Sequence, residues 1–226
     1  MWAFAVIATF LLQLAAPFNT LFTTGDFAGI TQAASWDSAA DQVWVARAAN
    51  TEAQFVHTSG PEFERAIDEA ITAAERALVL DPGNVPATLE LARALGYRAL
   101  TQGILQNMSL APRIKGLLEH VVQSDPGNAD GLVALAAMHQ QLHQSGAGWL
   151  YGAKPALTTE YTLAALSAAP NRIGIKNEAA EIVVRAGDQA WACELLHAAQ
   201  ALVPTSWAEA REAERTAAMW AAQACK

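Results

Sequence analysis

Few side chains in this 226-residue chain have the type and spacing to do chemistry. His139 and His143 stand four apart, as do Cys193 and His197. Residues i and i+4 share one face of a helix, so either pair could offer two ligands to one metal ion. Neither pair has an evident third ligand, and the run His-Gln-Gln-Leu-His lacks the glutamate that would make it a hydrolytic zinc helix. Packed or solvated histidines are therefore expected, with no metal and no other cofactor. Cys193 and Cys225 are the two cysteines, too few for a disulfide scaffold and without the paired spacing of a zinc site. In a helical hairpin residue 193 would face about residue 217, leaving Cys225 roughly 12 Å too far along. Two free thiols are the expectation, and a bond formed in an oxidising compartment stays open.

The rest of the chain adds no reactive constellation. No glycine-rich loop follows a strand, no serine sits on a nucleophile elbow, and the carboxylates read as scattered helix-surface charges, so no enzyme is expected. Asn107-Met108-Ser109 matches a glycosylation sequon but has no other secretory context of the eukaryotic kind and is read as chance. A formal charge of −8 would repel a nucleic-acid backbone.

The elements that carry these residues are helices. Apolar residues make up 53% of the chain, alanine is abundant, and the alternating β-branched runs of strands are absent. A helix end followed by proline recurs in ALVLDPGN (77–84), VVQSDPGN (121–128), ALSAAPN (165–171) and AQALVP (199–204). These prolines are 44, 44 and 34 residues apart. Proline disfavours the α conformation in the residue before it, and Asp, Gly and Asn supply the turn and the next helix's cap, so each point is a helix-to-helix corner.

Ala70, Ala77 and Pro82 have the second-helix spacing of the tetratricopeptide repeat, although Ala74 replaces a larger residue. Residues 173–206 fit best, with Ala179, Ala180 and Val183, the turn Gly187-Asp188, and then Ala192, Leu196, Ala199 and Pro204. Leu132, Leu135, Ala136 and His139, and likewise Thr88, Leu91, Ala92 and Leu95, take the first-helix core positions. On these residues the chain resembles the tetratricopeptide repeat (TPR) family over roughly residues 40–205. The resemblance implies an all-α, right-handed helical solenoid of about four helix pairs plus a C-terminal capping helix. Residues 38–56 and 61–80 would form the first pair, anchored by Trp44, and residues 207–224, with EAREAER on one side, the polar-backed cap.

The family's concave groove accepts a peptide or partner helix, and here it would be lined by Leu89, Arg93, Tyr97, Val133, Ala137, Gln140, Asn177, Glu181 and Arg185. Lysine and asparagine do not repeat along that face, which disfavours a receptor for carboxy-terminal carboxylates. The two longer periods hold about ten extra residues between paired helices, around 99–111 and 144–155. The second insert, SGAGWLYGAKP with Trp149, Leu150, Tyr151 and Gly152, is similar to TPR proteins associated with periplasmic tripartite transporters and to regulator-of-microtubule-dynamics-like proteins. That finer similarity implies a small-ligand or transport accessory role beside a solute-binding partner, in which the insert borders an apolar cavity, and it admits a homo-oligomer. The plainer expectation is that Trp149 and Tyr151 pack the loop onto the solenoid.

Residues 1–16 are apolar apart from Thr9 and Gln13, precede Pro17, and have the length of a secretory h-region; the first basic side chain is Arg47. Residues 1–34 are therefore expected to be a signal peptide or membrane-anchor segment with a linker, and residues 35–226 the solenoid. Together these features predict a non-enzymatic scaffold binding a protein or peptide in the periplasm or another exported compartment.

Overall fold

The computed structural model describes residues 17–101, 110–146 and 148–225; Met1–Ala16 and Asn107-Met108-Ser109 lie outside the described residues. The described residues form twelve helices and no strand. They are α1 (Pro17–Thr24), α2 (Phe27–Ala33), α3 (Ala39–Phe55), α4 (Gly60–Leu80), α5 (Val85–Thr101), α6 (Leu110–Ser124), α7 (Ala129–Gln144), α8 (Gly148–Tyr151), α9 (Pro155–Ala168), α10 (Ile173–Arg185), α11 (Gln189–Gln200) and α12 (Trp207–Ala222).

Four antiparallel pairs, α3/α4, α5/α6, α7/α9 and α10/α11, stack in chain order, and α12 caps the last. The corners form as their residues dictate. Asn84 Oδ1 accepts the Ala87 amide at 3.0 Å while its Nδ2 reaches Asp81. Asn128 repeats both contacts with Gly131 and Asp125. Each Asp-Pro-Gly-Asn thus ends one helix and caps the next. The cores are small-residue seams: Ala70, Ala74, Ala77, Ala92, Ala136, Ala179, Ala180, Ala192 and Ala199 are buried, interleaved with Leu91, Leu95, Leu132, Leu135, Val183 and Leu196. A β-carbon on Gly131 would come within 2.7 Å of Val121 Cγ1, so glycine sets how closely α7 approaches α6.

Three expectations change. The linker expected up to residue 34 is folded structure from Pro17 onward. Phe27 and Ile30 are buried, and Phe18 and Phe22 pack on Trp44 with ring centroids 6.4 and 5.7 Å away. The aromatic content of residues 18–30 is what buries them.

The cap keeps polar groups toward solvent in the exposed Arg211–Glu214 pair, but not all of its polar run faces outward. Glu212 and Thr216 of α12 are buried against α10, because α12 also leans on the start of the chain. Trp207 meets Phe27 at 5.2 Å and Phe55 at 6.2 Å between centroids. It also covers Gly25, where the φ of +81° suits glycine and an added β-carbon would come within 2.7 Å of the indole.

Finally, Cys193 and Cys225 are joined, with Cα atoms 5.5 Å apart. Helix α12 stops at Ala222, Ala224 takes a φ of +49°, and the Cys225 amide donates back to the Trp220 carbonyl. This Schellman turn removes the extra helical rise assumed for an uninterrupted helix. Among the described residues no helix is long and apolar enough to cross a membrane.

Candidate functional site

The first helices of the pairs, α3, α5, α7 and α10, each touch the next; α10 touches α12, and α12 returns to α3. The inner face is therefore a closed ring rather than an open trough. Gln54 on α3 donates to Glu212 Oε1 at 3.1 Å, linking residues 158 apart in sequence.

Ion pairs line this ring. Glu90 accepts from Arg47 Nε at 3.0 Å and from Arg93 Nη1 at 3.1 Å. Arg93 also reaches Asp130, 3.4 Å away, which is bound in turn by Arg172 through contacts of 2.6 and 3.1 Å. Burial pushes the Asp130 carboxyl up, but Arg93 and Arg172 together hold it below the usual carboxylate range. On the other side Arg215 pairs with Glu178 at 2.8 Å, Glu181 at 2.7 Å and Glu212 at 3.3 Å. Tyr97 lies among these groups with its phenol pushed upward by burial, and its ring meets Phe63 at 6.5 Å.

The two clusters share one design. Asn50 Nδ2 donates to the Glu90 carbonyl (3.0 Å) and Oε2 (2.9 Å), and Asn177 Nδ2 donates to the Glu212 carbonyl (2.9 Å) and Oε2 (2.7 Å). In each case an Arg three residues beyond the Glu binds the same carboxylate. The recurring Glu-x-x-Arg of 90–93 and 212–215 was the sequence signal for these residues. Sequence reasoning missed Asn50, Glu90, Asp130, Glu212 and Arg215 because it treated the carboxylates as solvated.

The expected groove residues fall into three groups. Leu89, Val133, Gln140 and Asn177 are buried within the chain, because helix-to-helix contact around the ring consumes their face. Arg93, Tyr97, Glu181 and Ala137 are partly exposed, the first three among the charged groups above. Arg185 remains exposed, near Glu181 at 3.6 Å.

The insert also departs from the packing expected of it. Trp149 is 84% exposed and Leu150 50%, while Tyr151 is partly buried and Gly152 turns the chain with a φ of +67°. Helix α8 is one turn long and only Gly148 of it is buried, against the end of α7.

His139 is buried and stacks on Tyr161 at 5.8 Å, whereas His143 is exposed. Cys193 is committed to Cys225, so its spacing from His197 carries no ligand pair. Among the described residues no group of three or more His, Cys, Asp or Glu could hold a metal ion.

No protein-family model matches the chain, and no curated protein matches it significantly. Among solved structures, a thermophilic TPR protein from Thermus thermophilus superposes with a TM-score of 0.59 at 11% identity, covering 83% of this chain and 81% of that one. The chain has a TPR-like fold.

Within this TPR-like solenoid the inner face is spent on self-contact: every ring arginine named above has a carboxylate of the same chain beside it. Among the described residues Trp149 is the most exposed of the large apolar side chains, and it lies with exposed Leu150 in the insert between the two helices of the third TPR-like pair.

Proposed function

We propose that the chain is a non-enzymatic TPR-like scaffold that docks a protein or peptide partner in the cell envelope, and that it does so through the α8 insert. The observation that carries this reading is the exposure of Trp149 beside Leu150. An indole and an isobutyl group held in water by a one-turn helix resemble the aromatic anchors that fill a partner's pocket. The envelope location draws support from the apolar residues 1–16 and from the Cys193–Cys225 bond, since disulfides persist in oxidising compartments.

The full chain, used as bait against envelope extract, is expected to retain a specific protein that is lost when Trp149 and Leu150 are both changed to Ala. Retention unaffected by that change removes the insert as docking element, and retention of nothing removes the scaffold reading. The transport-accessory reading would place an apolar cavity beside the insert. Trp149 instead projects into solvent, so the insert favours the scaffold.

A further inference from the structure

The charges around the inner ring are paired, but they do not balance side by side. Around α5 and α7 three arginines, Arg47, Arg93 and Arg172, share two carboxylates, Glu90 and Asp130. On α10 and α12 three carboxylates, Glu178, Glu181 and Glu212, share Arg215, and Arg185 reaches Glu181 from 3.6 Å. The first side thus holds one positive charge in excess and the second one negative charge.

A gap keeps these two excesses apart. In the ring order α3, α5, α7, α10, α12, the helices that are not neighbours of α5 are α10 and α12, so they face it across the centre. Among the described residues no ion pair joins Arg93 to Glu178. The two still act on one another: Glu90 foremost, and Glu178 from across the ring, favour the charged Arg93 guanidinium. The Tyr97 phenol, pushed upward by burial, is influenced by Arg93 and Glu178 alike.

Water reaches this gap. Arg93 keeps 28% of its side chain accessible and Glu178 35%. Burial nevertheless pushes the Glu178 carboxyl upward, with Arg215 opposing the rise and Glu181 adding to it. A side chain crowded by protein and still wetted lines a recess rather than an outer surface. Charges in a recess are screened less than charges in open water, so a guest that answers both excesses is favoured over one that answers a single side.

We propose that the inner ring binds a compact zwitterion, an ammonium and a carboxylate on one short carbon chain. The carboxylate lies toward Arg93 and Arg172, the ammonium toward Glu178 and Glu181, and the Tyr97 hydroxyl donates to the carboxylate. This goes beyond the scaffold reading, which rests on the α8 insert, and does not depend on it.

The test titrates the full chain, labelled for NMR, with glycine and 4-aminobutanoate, two zwitterions of different length. Butylammonium and butanoate, which carry one charge each, are titrated separately. At least one zwitterion is expected to move the Tyr97 ring and Arg93 Nε–H signals at concentrations at least tenfold below those either single ion needs. Glu178→Gln keeps the shape of the side chain and an oxygen toward Arg215, so the fold survives while zwitterion affinity falls at least tenfold and butanoate binding does not weaken. Arg93→Gln should weaken the zwitterion and butanoate together; if that change disturbs the fold, Glu178→Gln and the comparison of the four compounds still decide. If no compound moves these signals, the ring holds only water and the proposal fails. Butylammonium or butanoate binding as tightly as the zwitterions would overturn the assignment to a zwitterion.

Discussion

Asn177 and Glu212 form a two-point clasp between α10 and α12: one amide nitrogen binds both the backbone carbonyl and the carboxylate of the same glutamate, at 2.9 and 2.7 Å. Thr216 completes it by donating to Asn177 Oδ1 at 2.8 Å. Since α12 also returns to α3 through Gln54, this clasp holds the segment that closes the ring.

Asn177→Ala should therefore be expensive. It strips two hydrogen bonds from a buried glutamate and leaves its carboxylate with Gln54 at 3.1 Å and Arg215 at 3.3 Å. A loss of about 3 kcal/mol is expected in urea unfolding. A loss below about 1 kcal/mol would show that water replaces the amide.

The matching clasp at Asn50 and Glu90 is incomplete. The position equivalent to Thr216 is Ala94, buried and without a hydroxyl, and Asn50 Oδ1 is left without a partner among the described residues. Ala94→Ser should supply the donor and stabilise the chain by about 0.5–1 kcal/mol, seen as a higher Tm. A lower Tm would mean that the seam has no room for one oxygen.

The disulfide closes a separation of 32 residues. Cys225→Ser, or reduction of the wild type, should lower stability by about 3–4 kcal/mol on the chain-entropy account. Urea titration with and without reductant measures the difference, and the variant should not respond to reductant.

Burial, aided by Lys115, holds the His139 imidazole below its ordinary 6.5. The unfolded chain thus takes up the proton more readily than the folded one, so this contribution to stability is full above about pH 6.5 and is lost as pH falls through that value. Replacing His139 with Phe keeps a ring against Tyr161, removes the unpartnered Nδ1, and should flatten the decline of Tm between about pH 7 and 5.5. Parallel Tm curves for variant and wild type would assign the acid sensitivity elsewhere.

Helices and corners were legible in the sequence because their causes are local. Asp81-Pro82-Gly83-Asn84 stops and caps helices through contacts three residues long, and the spacing of Leu132, Leu135, Ala136 and His139 puts them on one buried face of α7 whatever lies opposite. The sequence by itself therefore determined an all-helical, paired, small-residue stack, including where its inserts fall.

Only the tertiary structure decided which polar groups look inward. Small rotations between successive pairs add up around the stack, and their sum brings Gln54 onto Glu212 and Trp207 onto Phe27. That closure draws Glu212 out of an EAREAER surface that reads as solvated into a buried clasp, converts the expected groove into a ring of paired charges, and folds residues 17–33 into the body. A left-handed turn at Ala224 likewise brought the cysteines together. No periodicity along one helix encodes a closure that depends on the accumulated angle of five.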